Sequence, residues 1–277
     1  METEIATTKY PGFSQRKITS ELDKHLENLA LHGYSIMENV LTAERAAQFE
    51  KQLGELWLKQ EAEFGKERLV ELGEHGTHRG LMVEDRAFIE MAANPRVLEV
   101  VHKVIGATAI LNLQNASAAF PHVQHFQTRF HRDFAKDFVA SRPLSLNAFW
   151  CITEFTKKNG ATMAVPGTHL TEEFPSAEFI QRNTIDLCAP AGSVIFWDSL
   201  LLHRTGSNTS DKPRYGINHM YTRPFLKQQI DFPVYLKGLI DEDSALGQLL
   251  GFWTIPPKSV KEFRVDPKNR TYRAGQG

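Results

Sequence analysis

The sequence predicts a mostly β protein with flanking α-helices, its core an antiparallel sandwich or barrel. Two observations carry that reading. After Gly106 the chain breaks into short runs of β-branched, aromatic or alternating residues separated by Pro, Gly, Asn and Asp, the punctuation of strands and turns. Between these runs no helical pattern of about 10–15 residues recurs, which argues against parallel βαβ units.

Taken in order, a capping-box-like Ser-Glu-Leu-Asp at Ser20 opens a helix with Leu22, Leu26 and Leu29 at helical spacing, stopped by Gly33. A short strand, Tyr34 to Met37, precedes a second helix capped by Thr42, whose Ala46, Phe49, Leu53, Leu56 and Trp57 recur on one face. Gly65 to Gly80 is polar and glycine-punctuated and reads as a loop. Helices follow at Asp85 to Ala93 and Pro95 to Ile105. The strand runs are Thr108 to Leu113, Gln124 to His131, Leu144 to Ile152, Ala161 to Val165, Ser193 to Trp197 and Tyr215 to Tyr221. Beyond Phe225 the pattern is mixed, with a helix at Ser244 to Leu250.

The chain has 277 residues, 42% of them hydrophobic and 23% charged, enough for a sizeable core and too apolar for disorder. Lys and Arg number 32 against 33 Asp and Glu, a net charge of -1, so no overall positive field draws the chain to nucleic acid or an anionic membrane. Cys151 and Cys188 are too few for a disulfide framework and suit a reducing compartment. No apolar run approaches the ~18 residues of a spanning helix, and the first residues are polar, so the expectation is a soluble, cytoplasmic protein. No repeat or linker interrupts the chain, which reads as one domain over 1–277.

The chemistry lies in the histidines. His131 and Asp133 are two apart on what reads as a strand end, where alternate residues share a face. His203 closes a strand-like apolar run that begins at Ser193 and offers a third ligand from a neighbouring strand. Two imidazoles and one carboxylate on one face of a metal suit Fe(II) and leave positions open for small-molecule chemistry. Thr205 to Pro213 reads as a hairpin connection, so Arg214 opens the strand beside the one ending at His203. A guanidinium there holds a carboxylate bidentately. The implied ligand is a dicarboxylate that chelates iron at one end and is clamped at the other.

This arrangement resembles the phytanoyl-CoA dioxygenase family of Fe(II)/2-oxoglutarate-dependent oxygenases. The resemblance covers roughly Asn94 to Tyr221. It includes Asn94-Pro95 leading into a helix that ends at Ile105-Gly106. It also includes Asn159-Gly160-Ala161-Thr162 running into Val165-Pro166-Gly167-Thr168-His169, similar to the family's Asn-Gly and Pro-Gly-Ser-His segment with Thr in the place of Ser. What it implies is a double-stranded β-helix, a cupin-like jelly roll over about 107–223, with a helical part at about 18–106 and an extension at 224–277. His131, Asp133 and His203 would bind Fe(II), Arg214 the distal carboxylate of 2-oxoglutarate, and Thr162 the same cosubstrate through its hydroxyl. O2 would be the oxidant, with 2-oxoglutarate converted to succinate and CO2 as a substrate C–H is hydroxylated. Asp133 keeps the carboxylate that halogenases of similar pattern replace by a small residue.

Further positions follow from alternation. Asn147 lies on a strand that should line the cavity near the cosubstrate, with Phe149 on its face toward the substrate. Gln127 and Arg129 share the alternation of His131 and are expected at the cosubstrate and the substrate respectively. Asn218 should point into the cavity and His219 away from it. His122 and His125 read as polar residues at a strand entry, and His169 as a structural histidine at a loop. The expected substrate is a small, polar or anionic metabolite; oligomeric state is not legible. Competing readings are a zinc-type hydrolase, in which Arg214 has no evident task, and a non-catalytic jelly-roll binding protein.

Overall fold

The structure is a computed structural model that describes residues 16–123, 127–133 and 139–276. Helix α1, Glu21–His32, begins where the Ser20 hydroxyl accepts the Asp23 N–H and ends at Gly33, whose φ of 80° turns the chain left-handed into strand β1, Tyr34–Met37. Helix α2, Ala43–Phe64, is capped by Thr42 and buries Ala46, Phe49, Leu53 and Trp57. Then come α3, Lys66–Glu71; β2, Thr77–Arg79; α4, Leu81–Glu84; α5, Arg86–Ala92; and α6, Pro95–Val104, capped by Asn94. The β-rich part follows: β3, Ile110–Ala119; β4, Ser145–Cys151; β5, Thr162–Ala164; α7, Ala177–Asn183; β6, Ile185–Asp186; β7, Val194–Asp198; β8, His203–Thr205; and β9, Arg214–Thr222. Short helices α8, Phe232–Tyr235, α9, Ala245–Leu249, and α10, Val260–Phe263, lie in the C-terminal part.

The strands form two antiparallel sheets, one of six strands in the order β1-β7-β4-β9-β3-β2 and one of three in the order β6-β5-β8. An isolated antiparallel bridge between His131 and His203 adds the 127–133 segment along the β8 edge of the smaller sheet. The core divides by strand face. On β4, Leu146, Ala148 and Trp150 join the helix residues Phe49, Leu53, Phe88, Val97 and Val101 in one apolar cluster, while Phe149 and Cys151 belong to a second with Phe155, Ala164, Leu187, Ile195 and Trp197. All seven β4 residues are buried, so the strand is covered on both faces. Each such large apolar side chain contributes about 1.5–3 kcal/mol, and the helices are held to the sheet by that burial rather than by their own propensity.

Four expectations are corrected. Gly65 to Gly80 is not a loop: it holds α3 and β2, and β2 pairs Thr77 with Ser117 of β3. A six-residue helix with one buried side chain, Leu69, is too short for its period to be read. The strand at Thr108 to Leu113 instead runs over Ile110–Ala119, since its polar residues Gln114, Asn115 and Ser117 broke the apolar pattern. Gln124 to His131 is not a regular strand in its described part, with only His131 bridged, and 124–126, including His125, lie outside the described residues. The run from Ser193 to His203 is two strands in different sheets, broken after Asp198, whose Oδ1 accepts the Leu200 N–H at 2.9 Å. In consequence β9 is not the hairpin partner of β8; Arg214 stands in the six-stranded sheet, on the opposite wall from His203.

Gly33 shows how tightly the helical layer meets the sheets. A Cβ there would lie 2.5 Å from His169 Nδ1 and 3.0 Å from Leu201 Cδ1, and the glycine carbonyl accepts the Asp198 N–H at 2.9 Å. Gly33→Ala combines a left-handed backbone with this clash and is expected to cost about 2 kcal/mol or more, read as a lower urea midpoint at unchanged slope.

Candidate metal centre

The triad residues come from two segments that meet at the β8 edge. His131 and His203 exchange both backbone bonds, N–H to C=O, at 3.0 and 3.1 Å, which brings their rings to a centroid distance of 4.5 Å. Each ring is turned the same way. His131 Nδ1 donates to the Arg129 carbonyl at 2.9 Å and His203 Nδ1 to the Leu201 carbonyl at 2.8 Å. A carbonyl only accepts, so the proton sits on Nδ1 and the Nε2 lone pairs are free. Both Nε2 atoms lie 3.5 Å from Asp133 Oδ1. The other carboxylate oxygen, Oδ2, receives the Asn147 amide at 2.9 Å and the Trp197 indole N–H at 3.3 Å.

The three ligand atoms lie within 4.8 Å of one another. Two neutral nitrogens and one anionic oxygen, each fixed by a hydrogen bond on its far side, are a donor set that fits Fe(II), and His131 Nε2 is a buried atom without a hydrogen-bond partner among the described residues. Burial opposes ionisation of Asp133, but His203 and His131 outweigh it and hold the carboxyl well below its usual range. Burial likewise disfavours the charged His203 ring, and the charge and hydrogen bond of Asp133 together with the Leu201 carbonyl outweigh it and raise its pKa.

The triad opens on a cavity of about 350 Å³ between the sheets. Of the residues expected there, Gln127, Phe149, Thr162 and Asn218 line it together with the triad. Arg129 does not: its side chain is exposed, because the irregular 127–131 path breaks the alternation on which it was placed, and it is its carbonyl that the site uses. Asn147, expected at the cosubstrate, is fully buried and bonded to Asp133, Ser199 and Asn218. Arg214 is 1% exposed and is not among the lining residues; its guanidinium stacks 4.3 Å from the Phe155 ring centre and 5.9 Å from Phe149, which does line the cavity. Its Nε and Nη1 have no hydrogen-bond partner among the described residues, and burial pushes its pKa down to about 10, still charged at neutral pH. A buried cation without an acid is costly, and a ligand carboxylate fits that deficit.

The sequence puts the cavity mouth in the less regular segments Gly65 to Gly80, Asn115 to Phe126 and the part after Phe225. From these, Thr77 and Arg79 of β2, Asn115 and Ser117 of β3, and Gln229 border the same cavity as its far wall, though the sequence singles out none of them individually. Arg79 pairs with Glu74 at 2.8 Å and donates to Gln229 at 2.6 Å. His219 faces the helices, bonded to Gln114 and Trp150. His169 is buried beside Gly33.

Next to Trp197, Asp198 faces the other side of the sheet, and burial pushes its carboxyl up to about 6, against the Leu200 N–H and Arg132. The folded protein therefore holds this proton at pH values where the unfolded chain, with a carboxyl near ~4, has released it. The stability gained by protonation is full below about pH 4 and is lost as the pH rises to about 6, a swing of about 3 kcal/mol. Asp198→Asn keeps the acceptor for Leu200 and removes the charge. It is expected to raise the urea midpoint at neutral pH and to lose that advantage below about pH 4.

A His/Asp/His donor set between two antiparallel sheets, with a buried arginine on the facing wall, defines the class of mononuclear metal oxygenases. The family model for phytanoyl-CoA dioxygenase matches residues 29–216. The chain belongs to the phytanoyl-CoA dioxygenase family, whose members are Fe(II)- and 2-oxoglutarate-dependent dioxygenases. It is 36% identical to the Mycobacterium tuberculosis (strain ATCC 25618 / H37Rv) protein Rv1501 over 265 residues, covering 93% of this chain and 97% of that one. It is 26% identical to the dioxygenase olcK of Penicillium canescens, covering 95% and 93%. Among solved structures, EctD from S. alaskensis with 2-oxoglutarate and 5-hydroxyectoine superposes with a TM-score of 0.60 at 21% identity over 72% of this chain and 75% of that one, a likeness of fold. No helix of the described residues is long and apolar enough to cross a membrane.

Proposed function

We propose that this protein hydroxylates an unactivated C–H of a small, polar or anionic metabolite, consuming 2-oxoglutarate and O2 and releasing succinate and CO2. The two sheets, with the His131 bridge along β8, support reading its core as a double-stranded β-helix within a single domain. The observation that carries the functional reading is the pairing of two features: the ligand atoms of His131, Asp133 and His203 converging within 4.8 Å of one another, and a buried guanidinium with no acid beside it among the described residues. Fe(II) and 2-oxoglutarate, when bound, supply the oxidation of the substrate C–H by O2.

The protein's part is to bind and orient. His131, His203 and Asp133 would hold the metal through Nε2, Nε2 and Oδ1. Arg214 would hold the far carboxylate of 2-oxoglutarate, with the Thr162 hydroxyl and Gln127 at the same cosubstrate. Phe149 and Trp197 keep water from the reacting atoms. Polarity of the substrate is supported by the far wall of amides and hydroxyls and by Asn218 Oδ1, a buried acceptor with no donor among the described residues. An unmet acceptor of that kind costs about 1–3 kcal/mol, which a substrate hydroxyl or N–H would recover. The test is O2-dependent succinate release by the Fe(II)-loaded protein with 2-oxoglutarate. A loaded protein that neither binds nor consumes 2-oxoglutarate overturns the reading.

A further inference from the structure

We infer that Asn147 and Asn218 are positioning residues for the metal carboxylate, a relay that leaves Asp133 Oδ1 alone to face the metal; this rests on the metal reading above. Asp133 lies beyond the bridged residue His131, and among the described residues its backbone is anchored by a bond from its N–H to the Ser199 carbonyl at 2.9 Å. The direction of the carboxylate therefore depends on what its oxygens touch. An ionised carboxylate only accepts, so the Asn147 contact at 2.9 Å is an N–H donation. The second N–H of that amide goes to Ser199 Oγ at 2.8 Å. Its carbonyl is then an acceptor, and Asn218 Nδ2 meets it at 2.9 Å. The orientation of both amides is thus dictated from the carboxylate outward.

Both donors to Asp133, Asn147 and the donor-only Trp197 indole, land on Oδ2. Oδ1, in contrast, stands 3.5 Å from each histidine Nε2. Asn147 and Asn218 are diagonal neighbours on β4 and β9, since Asn147 pairs with Met220 and Asn218 with Phe149. The relay ties the middle of the six-stranded sheet to the irregular segment that carries two of the three ligands.

The test uses Co(II) alone as probe, titrated into the metal-free full chain and followed by calorimetry and by ligand-field absorption, with thermal unfolding of each metal-free variant alongside. Loss of an outer-shell partner typically weakens metal binding about 10–100-fold. Asn147→Leu is expected in that range and Asn218→Leu several-fold. The double variant is expected to be no weaker than Asn147→Leu, because Asn218 acts only through Asn147. A packing role would lower the melting temperature and leave Co(II) affinity unchanged. Asn218 is only partly buried, so Asn218→Leu remains informative should Asn147→Leu not fold. Wild-type affinity in Asn218→Leu, or independent multiplicative losses in the double variant, overturns the relay. Failure of the wild-type chain to bind Co(II) would instead count against the metal reading itself.

Discussion

Arg214→Met is expected to stabilise the ligand-free protein while raising its 2-oxoglutarate requirement about 30-fold or more. The two effects have one cause. The Arg214 guanidinium is buried, with Nε and Nη1 unpartnered among the described residues, so without a bound acid the fold carries an uncompensated cation. Replacing buried charge by a well-packed apolar group of similar length is often neutral or stabilising by about 1–4 kcal/mol. Methionine retains contact with Phe155 and Phe149 through its flexible thioether. With the cosubstrate present, the same substitution would remove one partner of the proposed charge pair, worth about 2–5 kcal/mol. If Arg214 clamps the carboxylate of 2-oxoglutarate that does not react, as proposed, KM should rise while kcat at saturation changes little. Thermal unfolding with and without 2-oxoglutarate, and the 2-oxoglutarate dependence of succinate release, read both. Unchanged KM, or a loss of ligand-free stability, would remove Arg214 from this role.

His131→Ala is expected to abolish turnover with little change in fold. The residue keeps its place through backbone bonds to His203, which alanine preserves, and its side chain is about a quarter exposed. The stability change should stay within about 1 kcal/mol. Metal affinity, by contrast, would lose one of the three proposed protein ligands and should fall further than the ~100-fold upper range for an outer partner. Co(II) titration and succinate release measure the two quantities; a variant that still binds metal like the wild type and forms succinate would exclude His131 from the ligand set.

How far the sequence foretold this arrangement follows the range of each interaction. Helix ends were legible because their determinants are local: Ser20, Thr42 and Asn94 cap from positions adjacent to the helices they start. The facing residues of β9 were legible because a regular strand alternates, so Asn218 turns to the cavity and His219 away. The same rule failed for Arg129, because the segment around it is not a regular strand. Arg214 was recognisable by type and spacing, but its wall was not. A chain segment of Gly, Ser, Asn, Asp and Pro looks alike whether it turns a hairpin or crosses between sheets. Asn147 was expected at the cosubstrate because alternation gives its face and says nothing of Asp133, which approaches from a loop. Arg79, Asn115 and Gln229 were legible only as members of irregular segments expected at the cavity mouth and not as individuals, since they meet only through pairing of β2 with β3 and the return of the C-terminal part.

The two histidines are aimed by the same device, each ring held by the carbonyl two residues earlier in the chain. A carbonyl is common to every amino acid, so the aim of both imidazoles survives any exchange of the side chains at positions 129 and 201 that leaves the backbone path intact. The carboxylate has no such insurance, for its direction is written in the identities of Asn147 and Trp197. The site thus separates into a part indifferent to sequence drift and a part that is tunable. Neighbouring walls are free to diverge toward new substrates without detuning the imidazoles, and change in the metal's reactivity has its most accessible route through the carboxylate's neighbours.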